Sequence, residues 1–254
     1  SAGVQDDQES AALLISKYDL LALPVVNGSG ALVGIVTHDD ATDVLMQENT
    51  EDMEKLMAIG GSHEAAAYLR TPAWSHFRNR AGWLVGLAVL GLVSGAIVQS
   101  FANLLVQFAI LATFMPMLAD TGGNTGSQSA TLIVRALALG DVRPRDVLRV
   151  LAKEFAVSGL LALTLALFCF GRVWLFARGA DVTGGLSVAR VGFGVALALG
   201  LQVVTSTLIG ALLPLGAARL RIDPAVVASP ALTTIVDITG LLIFFTTAKV
   251  VLGI

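Results

Sequence analysis

The residue with the clearest chemical potential is Asp237, which lies near the middle of the last long apolar segment, residues 224–248. A charged side chain at the centre of a membrane helix costs about 2.5–3.5 kcal/mol on insertion scales. At helical spacing it shares one face with small or hydroxyl-bearing residues, namely Pro230, Thr233, Thr234 and Gly240. The alternative is an ion pair with a buried base, but the apolar segments carry no basic residue at matching depth. The pattern therefore favours a carboxylate that lines a water-filled path.

A second polar face precedes it in the chain. Its members recur at spacings of four, three and four, in the order Asp120, Asn124, Ser127 and Thr131. Beside them, Gly122 and Gly126 form a small-xxx-small pattern that lets another helix or a ligand approach the backbone. Glycines also loosen a helix, so carbonyl oxygens such as that of Gly123 become candidate ligands where they line a cavity. Helix packing with polar contacts explains the spacing equally well, and both interpretations stay open at this point.

The candidate donors are carboxylates, amides, hydroxyls and carbonyls, which are hard oxygen ligands suited to Mg²⁺ or Ca²⁺. His38, His63 and His76 are scattered without a ligand spacing. Mg²⁺ releases its water reluctantly, so a site with few charges that holds a largely hydrated ion fits its chemistry. Two copies of Asp237 at a dimer axis would balance the charge of the ion. The membrane potential would drive entry with about 4.6 kcal/mol per 100 mV for a doubly charged ion.

The composition requires a membrane. The chain has 254 residues, of which 55% are hydrophobic and 14% are charged, so it lies outside the range of ordinary globular domains. Five apolar segments are long enough to span a bilayer. Two lie between Arg80 and Arg135, divided near Gln99 and Asn103, and the others cover residues 155–170, 191–218 and 224–248. The predicted fold is an all-α membrane domain of five transmembrane helices after a smaller soluble segment.

Basic residues in the short connections predict the orientation. Ten of them fall on one side of the five segments: Arg70, Arg78, Arg80, Arg135, Arg143, Arg145, Arg149, Lys153, Arg219 and Arg221. The opposite side has Arg172, Arg178, Arg190 and Lys249. We therefore expect a multi-pass protein of the cell membrane with a cytoplasmic N-terminus and an external C-terminus. Its partners are expected to be lipid, divalent cations and a second copy of itself, with no nucleic acid.

The soluble segment has the pattern of a β-hairpin followed by helix. Residues 20–26 and 31–37 are rich in branched side chains and are separated by Asn-Gly-Ser-Gly, a strong turn signal. Asp39 and Asp40 can cap the helix that follows. A second, acid-rich helical stretch is expected at residues 50–59. The acids of this region form either a solvated face or a sensor for the transported ion: Asp39, Asp40, Asp43, Glu51, Asp52, Glu54 and Glu64.

Several of these residues together resemble a known family. Residues 122–131, continuing to Gly140, and residues 233–240, preceded by Asp223 and Pro224, closely resemble the two membrane signatures of the MgtE family of magnesium channels. Residues 34–40 resemble the end of the second CBS domain of that family, and residues 50–52 resemble the start of its connecting region. The chain begins at Ser1, without a methionine, and is identified as a member truncated at its N-terminus.

The resemblance implies a homodimer with a pore at its axis, lined by helices two and five. It implies a partial α/β CBS segment at residues 1–47, a connecting plug helix region at 48–80 and a five-helix pore domain at 81–254. In that scheme Asp237 is the filter carboxylate for hydrated Mg²⁺, with Asn124 beside it. Asp223 is the acid at the cytoplasmic mouth, and Glu64 is a candidate partner on the plug. Mg²⁺ is then both the transported ion and a candidate regulator that closes the pore.

Two departures from the family pattern concern selectivity. Many members have a second Asn where this sequence has Ser127, and a small uncharged residue where it has Asp120. An extra acid near the filter would tighten ion binding or admit other divalent ions. The candidate metal site consists of eight residues: Asp237, Asp120, Asn124, Gly123, Ser127, Thr234, Asp223 and Glu64.

Other functions fit less well. A carrier coupled to protons or sodium would use Asp120 or Asp237 to bind the coupling ion, and it remains the main alternative. No Ser/His/Asp set or HExxH motif is present, so an enzyme is not expected. A sensor with a mere membrane anchor would not need two polar faces inside the bilayer.

Overall fold

A computed structural model describes residues 1–60, 68–176, 187–227 and 230–253. The chain divides into two compact units, Ser1–Ala81 and Gly82–Ile254. The candidate site residue Glu64 lies outside the described residues. All other candidate site residues belong to the second unit.

In its described part the first unit contains a three-stranded sheet, two α-helices, a 3₁₀ turn at Tyr68–Arg70 and the start of a third α-helix. In chain order the strands and the first two helices are β1 (Ala2–Gly3), α1 (Gln8–Lys17), β2 (Ala22–Val26), β3 (Leu32–Thr37) and α2 (His38–Leu56). Strand β2 lies between β1, which is parallel to it, and β3, which is antiparallel to it. Its core includes Ile15, Ala12, Leu23 and Ala41, which contact one another across α1, α2 and the sheet.

The hairpin predicted between β2 and β3 is confirmed, with Ala22 opposite Thr37. The side chain of Asn27 shapes the turn, because its Oδ1 accepts hydrogen bonds from the amides of Ser29 at 3.0 Å and Ala31 at 2.9 Å. Gly30 has φ of +79°, a left-handed conformation that a residue without Cβ adopts at little cost. The turn chemistry therefore sets the register of the two strands.

Helix α2 corrects one prediction. Its first turn has the expected cap, since the amide of Thr37 donates to Asp40 Oδ2 at 3.1 Å in a capping box. The separate helical stretch predicted at residues 50–59 is wrong. Neither glycine nor proline interrupts residues 38–56, so one helix continues to Leu56. An ion pair of 2.6 Å between Lys55 and Glu51, one turn apart, supports its last turns.

The second unit is helical throughout its described part. Its helices are α3 (Ala73–Ser100, which begins within the first unit), α4 (Ala102–Gln107), α5 (Met115–Ala138), α6 (Val147–Phe176), α7 (Val188–Arg219), α8 (Pro224–Val227) and α9 (Pro230–Leu252). Short 3₁₀ turns precede α5, at Ala109–Phe114, and α6, at Pro144–Asp146. The break expected near residues 99–103 falls at the end of α3.

Helix α7 is the central element of this unit, because it packs against α5, α6 and α9. Small residues permit the closest approach. A Cβ at Gly210 of α7 would overlap the carbonyl oxygen of Gly126 on α5, so the two backbones touch there. Toward the other end of α7 the core is aromatic and aliphatic, with Phe101 and Phe245 stacked at a centroid distance of 4.6 Å.

Four helices of the described chain are long and apolar enough to cross a membrane: Ala73–Ser100, Pro144–Leu175, Val188–Arg219 and Pro224–Leu252. Helix α5 has 24 residues, which is sufficient length, but its polar motif lowers its hydropathy below that of the other four. It nevertheless packs against α7 and α9. The structure thus supports a multi-pass membrane domain, with α5 as its polar member.

Candidate functional site

The two predicted polar segments, on α5 and α9, lie side by side. Glycines make this contact close: a Cβ at Gly123 would lie 3.6 Å from Thr233 Cγ2, and one at Gly126 would lie 3.4 Å from Val236 Cγ2. Bulkier residues at these two positions would push the helices apart. The glycine-rich motif therefore brings the backbone of α5 next to the hydroxyl-bearing face of α9.

Asp237 is half-buried on α9. It lines a small cavity of about 10 Å³ with Gln202 of α7 and with apolar or small residues of α5 and α9, namely Met115, Leu118, Ala119, Gly240, Leu241 and Phe244. None of the hydrogen bonds or ion pairs described for this chain involves Asp237. Within the described residues its carboxylate thus has no basic partner.

The threonines one turn before Asp237 present oxygen acceptors. The hydroxyls of Thr233 and Thr234 donate to the carbonyl oxygen of Pro230, at 2.7 Å and 3.2 Å. A hydroxyl that donates its only proton keeps its lone pairs for a further donor. Both side chains are half-buried. This face of α9 therefore offers oxygens that accept hydrogen bonds, the complement of a hydrated cation whose waters donate them.

The polar stripe of α5 and its glycines point in different directions. Asp120, Asn124 and Thr131 are exposed and Ser127 is half-buried, whereas the glycines at 122 and 126 are buried against α7 and α9. The glycines thus pack helices within the chain, and the exposed stripe takes no part in that packing. The packing interpretation therefore holds for the glycine face, and a role of the exposed face in ion binding stays a prediction.

The structure brings together only part of the predicted donor set. Gly123 lies next to Thr233, and Thr234 is one turn from Asp237. Asp120 and Asn124 do not line the cavity beside Asp237. In the part of the chain that the structure describes, no three His, Cys, Asp or Glu side chains gather into a possible metal cluster.

Asp223 has a structural contact of its own. It is half-buried directly before α8, and its Oδ1 accepts a hydrogen bond of 2.9 Å from the amide of Ala225. This carboxylate therefore orders the start of the short helix that leads to α9. Asp223 is a candidate ion ligand, and one of its two carboxylate oxygens already accepts a hydrogen bond from the protein.

Two buried polar residues were missed by sequence reasoning. Glu154 of α6 has 9% of its surface exposed and Gln202 of α7 has 1%. Glu154 follows Lys153 at the edge of the third apolar segment. Its position therefore indicated an exposed, charged connection and not a buried site. Gln202 is the only strongly polar side chain between Arg190 and Arg219 apart from hydroxyls. A glutamine within a membrane segment was the signal that could have identified it.

Comparison with known families gives two matches. Residues 115–247 match the family model described as MgtE, divalent cation transporter. Residues 3–47 match the CBS domain model. The first match covers α5 to α9 and hence both polar faces, and the second covers the sheet and the start of α2.

Three curated relatives are similar over nearly the whole chain. The magnesium transporter MgtE of Thermus thermophilus is 42% identical over 246 residues, which is 97% of this chain and 52% of the relative. Proteins of the same name from Bacillus subtilis and Enterococcus faecalis are 37% and 31% identical, over 96% and 98% of this chain and 51% and 52% of theirs. The chain therefore spans about half the length of the relatives it matches.

Proposed function

Because the chain belongs to the MgtE family of divalent cation transporters, we propose that it moves Mg²⁺ across the cell membrane, inward and down the electrical gradient. The observation that carries the proposal is Asp237, a half-buried carboxylate in an apolar helix with no basic partner among the described residues. A membrane helix retains such a charge when it faces a polar path. The relatives named as magnesium transporters support the choice of ion.

The surroundings of Asp237 suit a hydrated ion. A hydrated Mg²⁺ presents only water protons to its surroundings, and Thr233 and Thr234 offer oxygen lone pairs on the same face of α9. The carboxylate supplies charge without replacing the inner water shell, which Mg²⁺ releases reluctantly. On this proposal Asp237 selects for charge, and the hydroxyls together with the carbonyl of Gly123 hold the waters.

A homodimer completes the path. Asp120, Asn124 and Thr131 are exposed on the single chain, and a stripe of this kind is unfavourable against lipid. A second copy that places its own α5 and α9 across a water-filled axis would cover the stripe and bring two Asp237 carboxylates to one ion. Helix α5 would then complete the set of five transmembrane helices as the second in chain order, with one side facing water and its glycine side packed on α7 and α9.

Regulation is proposed to use the cytoplasmic acids. Residues 1–47 would form the CBS portion, 48–80 the connecting region and 81–254 the pore domain, with a cytoplasmic N-terminus and an external C-terminus. Mg²⁺ bridging Asp223 to acids of residues 51–64, Glu64 among them, would hold the entrance closed. When Mg²⁺ is removed, the carboxylates repel one another and the entrance opens.

A coupled carrier is the competing function, in which Asp120 or Asp237 binds a proton or sodium ion. Uptake measurements without a proton or sodium gradient distinguish a channel from a coupled carrier. In proteoliposomes that hold equal pH and equal sodium on both sides, a channel takes up Mg²⁺ in response to an imposed potential, whereas a carrier requires the second gradient.

The same vesicles test the central claim. Asp237→Asn keeps the size of the side chain and removes its charge, so Mg²⁺ uptake should fall at least tenfold. Asp141→Asn, at an exposed position between α5 and α6, is the matched control and should transport like the unmodified chain. Full uptake by Asp237→Asn would place the filter elsewhere and refute the proposal.

A further inference from the structure

Gln202 occupies a notch between the two helices proposed to line the pore. It lies in the middle of α7 and is 1% exposed. A Cβ at Gly122 of α5 or at Gly240 of α9 would clash with its amide nitrogen, so neither position accepts even a methyl group unless the Gln202 side chain moves. Two glycines from distant parts of the sequence thus make room for one polar side chain.

Packing alone does not explain a glutamine at this position. Its Oε1 is buried and has no hydrogen-bond partner among the described residues, and the same is true of Ser206 Oγ one turn further along α7. A buried acceptor without a donor is destabilising, and an apolar side chain of the same volume would avoid that cost. Methionine has nearly the same length and shape and would fill the same space, so the amide points to a polar function.

The cavity beside Gln202 supplies the second half of the argument. Gln202 and Asp237 line the same space of about 10 Å³, which is close to the minimum that holds one water molecule. The amide oxygen of Gln202 and the carboxylate are both acceptors, so they cannot bond to each other, and no hydrogen bond described for this chain joins the amide nitrogen of Gln202 to Asp237. A water molecule has two protons and can donate one to each.

We propose that Gln202 is a positioning residue for Asp237, acting through a water molecule that donates to both side chains. The water fixes the rotamer of the carboxylate and aims its second oxygen at the ion path. The inference rests on the proposed role of Asp237 as the filter. It assigns part of the filter to α7, a helix that carries none of the predicted ligands.

Two substitutions of nearly equal size test it. Gln202→Met removes the acceptor and keeps the volume, so the half-saturating Mg²⁺ concentration for uptake should rise roughly three- to tenfold, as expected for the loss of a hydrogen bond that orients a charged group. Gln202→Glu keeps the oxygen and adds a carboxylate, so half-saturation should shift to a lower concentration, at least threefold. A role confined to packing predicts no change in either variant.

The control is Gln99→Met, the same chemical change at an exposed position of α3, which should leave half-saturation unchanged. Assembly of each variant is checked by gel filtration in detergent. If Gln202→Met does not assemble, Gln202→Glu decides by itself, and an unchanged half-saturation overturns the inference. Loss of uptake in Asp237→Asn together with unaltered Gln202 variants would refute the inference alone, whereas full uptake in Asp237→Asn would refute the proposed function.

Discussion

Ser129 of α5 donates a hydrogen bond of 2.8 Å to Glu154 Oε2 of α6, and both residues are buried. The bond joins the glycine-rich motif to a helix that contributes none of the candidate ligands. A buried carboxylate is unfavourable unless donors satisfy it. The pair therefore fixes α5 against α6 and limits how far the polar helix can move.

Ser129→Ala should destabilise the protein, because it removes the described donor to a buried carboxylate. Hydrogen bonds to charged groups contribute about 1.5–3 kcal/mol, so the melting temperature in detergent should fall by several degrees. Ser127→Ala, at a half-buried position on the same helix, is the control and should change it little. In a double-mutant cycle, Ser129→Ala and Glu154→Gln should be non-additive, since both act on one bond. Strict additivity would contradict the coupling.

Gly210→Ala should destabilise the packing of α5 on α7, because the new methyl group would meet the carbonyl oxygen of Gly126. Overpacking of this kind costs about 1–3 kcal/mol. Gly216→Ala is a matched control on the same helix, where a Cβ meets nothing within 4 Å, and it should be neutral or slightly stabilising. Thermal unfolding, monitored by gel filtration, measures the difference in stability between the two variants. Equal behaviour of the two variants would show that the backbones do not touch at Gly210.

Asp120→Asn should alter selectivity more than rate. Asp120 is exposed on α5 and does not line the cavity of Asp237, so in the proposed function its carboxylate would act on the ion from a separate position. Removing this charge should lower the uptake of Ca²⁺ and Mn²⁺ relative to Mg²⁺ by a few-fold. Competition between these ions in proteoliposomes measures the ratio, with Asp141→Asn as control. An unchanged ratio would mean that Asp120 has no part in selection.

Asp223→Asn should weaken closure by Mg²⁺ on the cytoplasmic side. Asparagine retains an oxygen that can accept from the amide of Ala225, so the cap of α8 is preserved while the charge is lost. Uptake in vesicles with several millimolar Mg²⁺ on the side of the N-terminus should then persist where that of the unmodified chain stops. Unaltered inhibition would remove Asp223 from the proposed gate.

Much of the fold was predictable because its signals are local. The Asn-Gly-Ser-Gly turn of the hairpin, the aspartate that caps α2 and the break after Ser100 each depend on residues within a few positions of one another. The extent of α2 was not predicted, since an acid-rich composition was taken for a separate element although nothing interrupts the helix. The polarity of α5 is visible in the sequence, but the direction of each of its faces is not.

The sequence by itself determined that the chain needs a membrane, that an aspartate stands in an apolar helix, and that glycines and small polar residues accompany it. These conclusions need only hydropathy and helical spacing, which act over short stretches of chain. Tertiary structure decided that the glycines pack inward while Asp120 and Asn124 face outward, and that Gln202 and Glu154 are buried. Burial of one side chain depends on helices that lie far away in sequence, so the pattern of a single segment does not contain it.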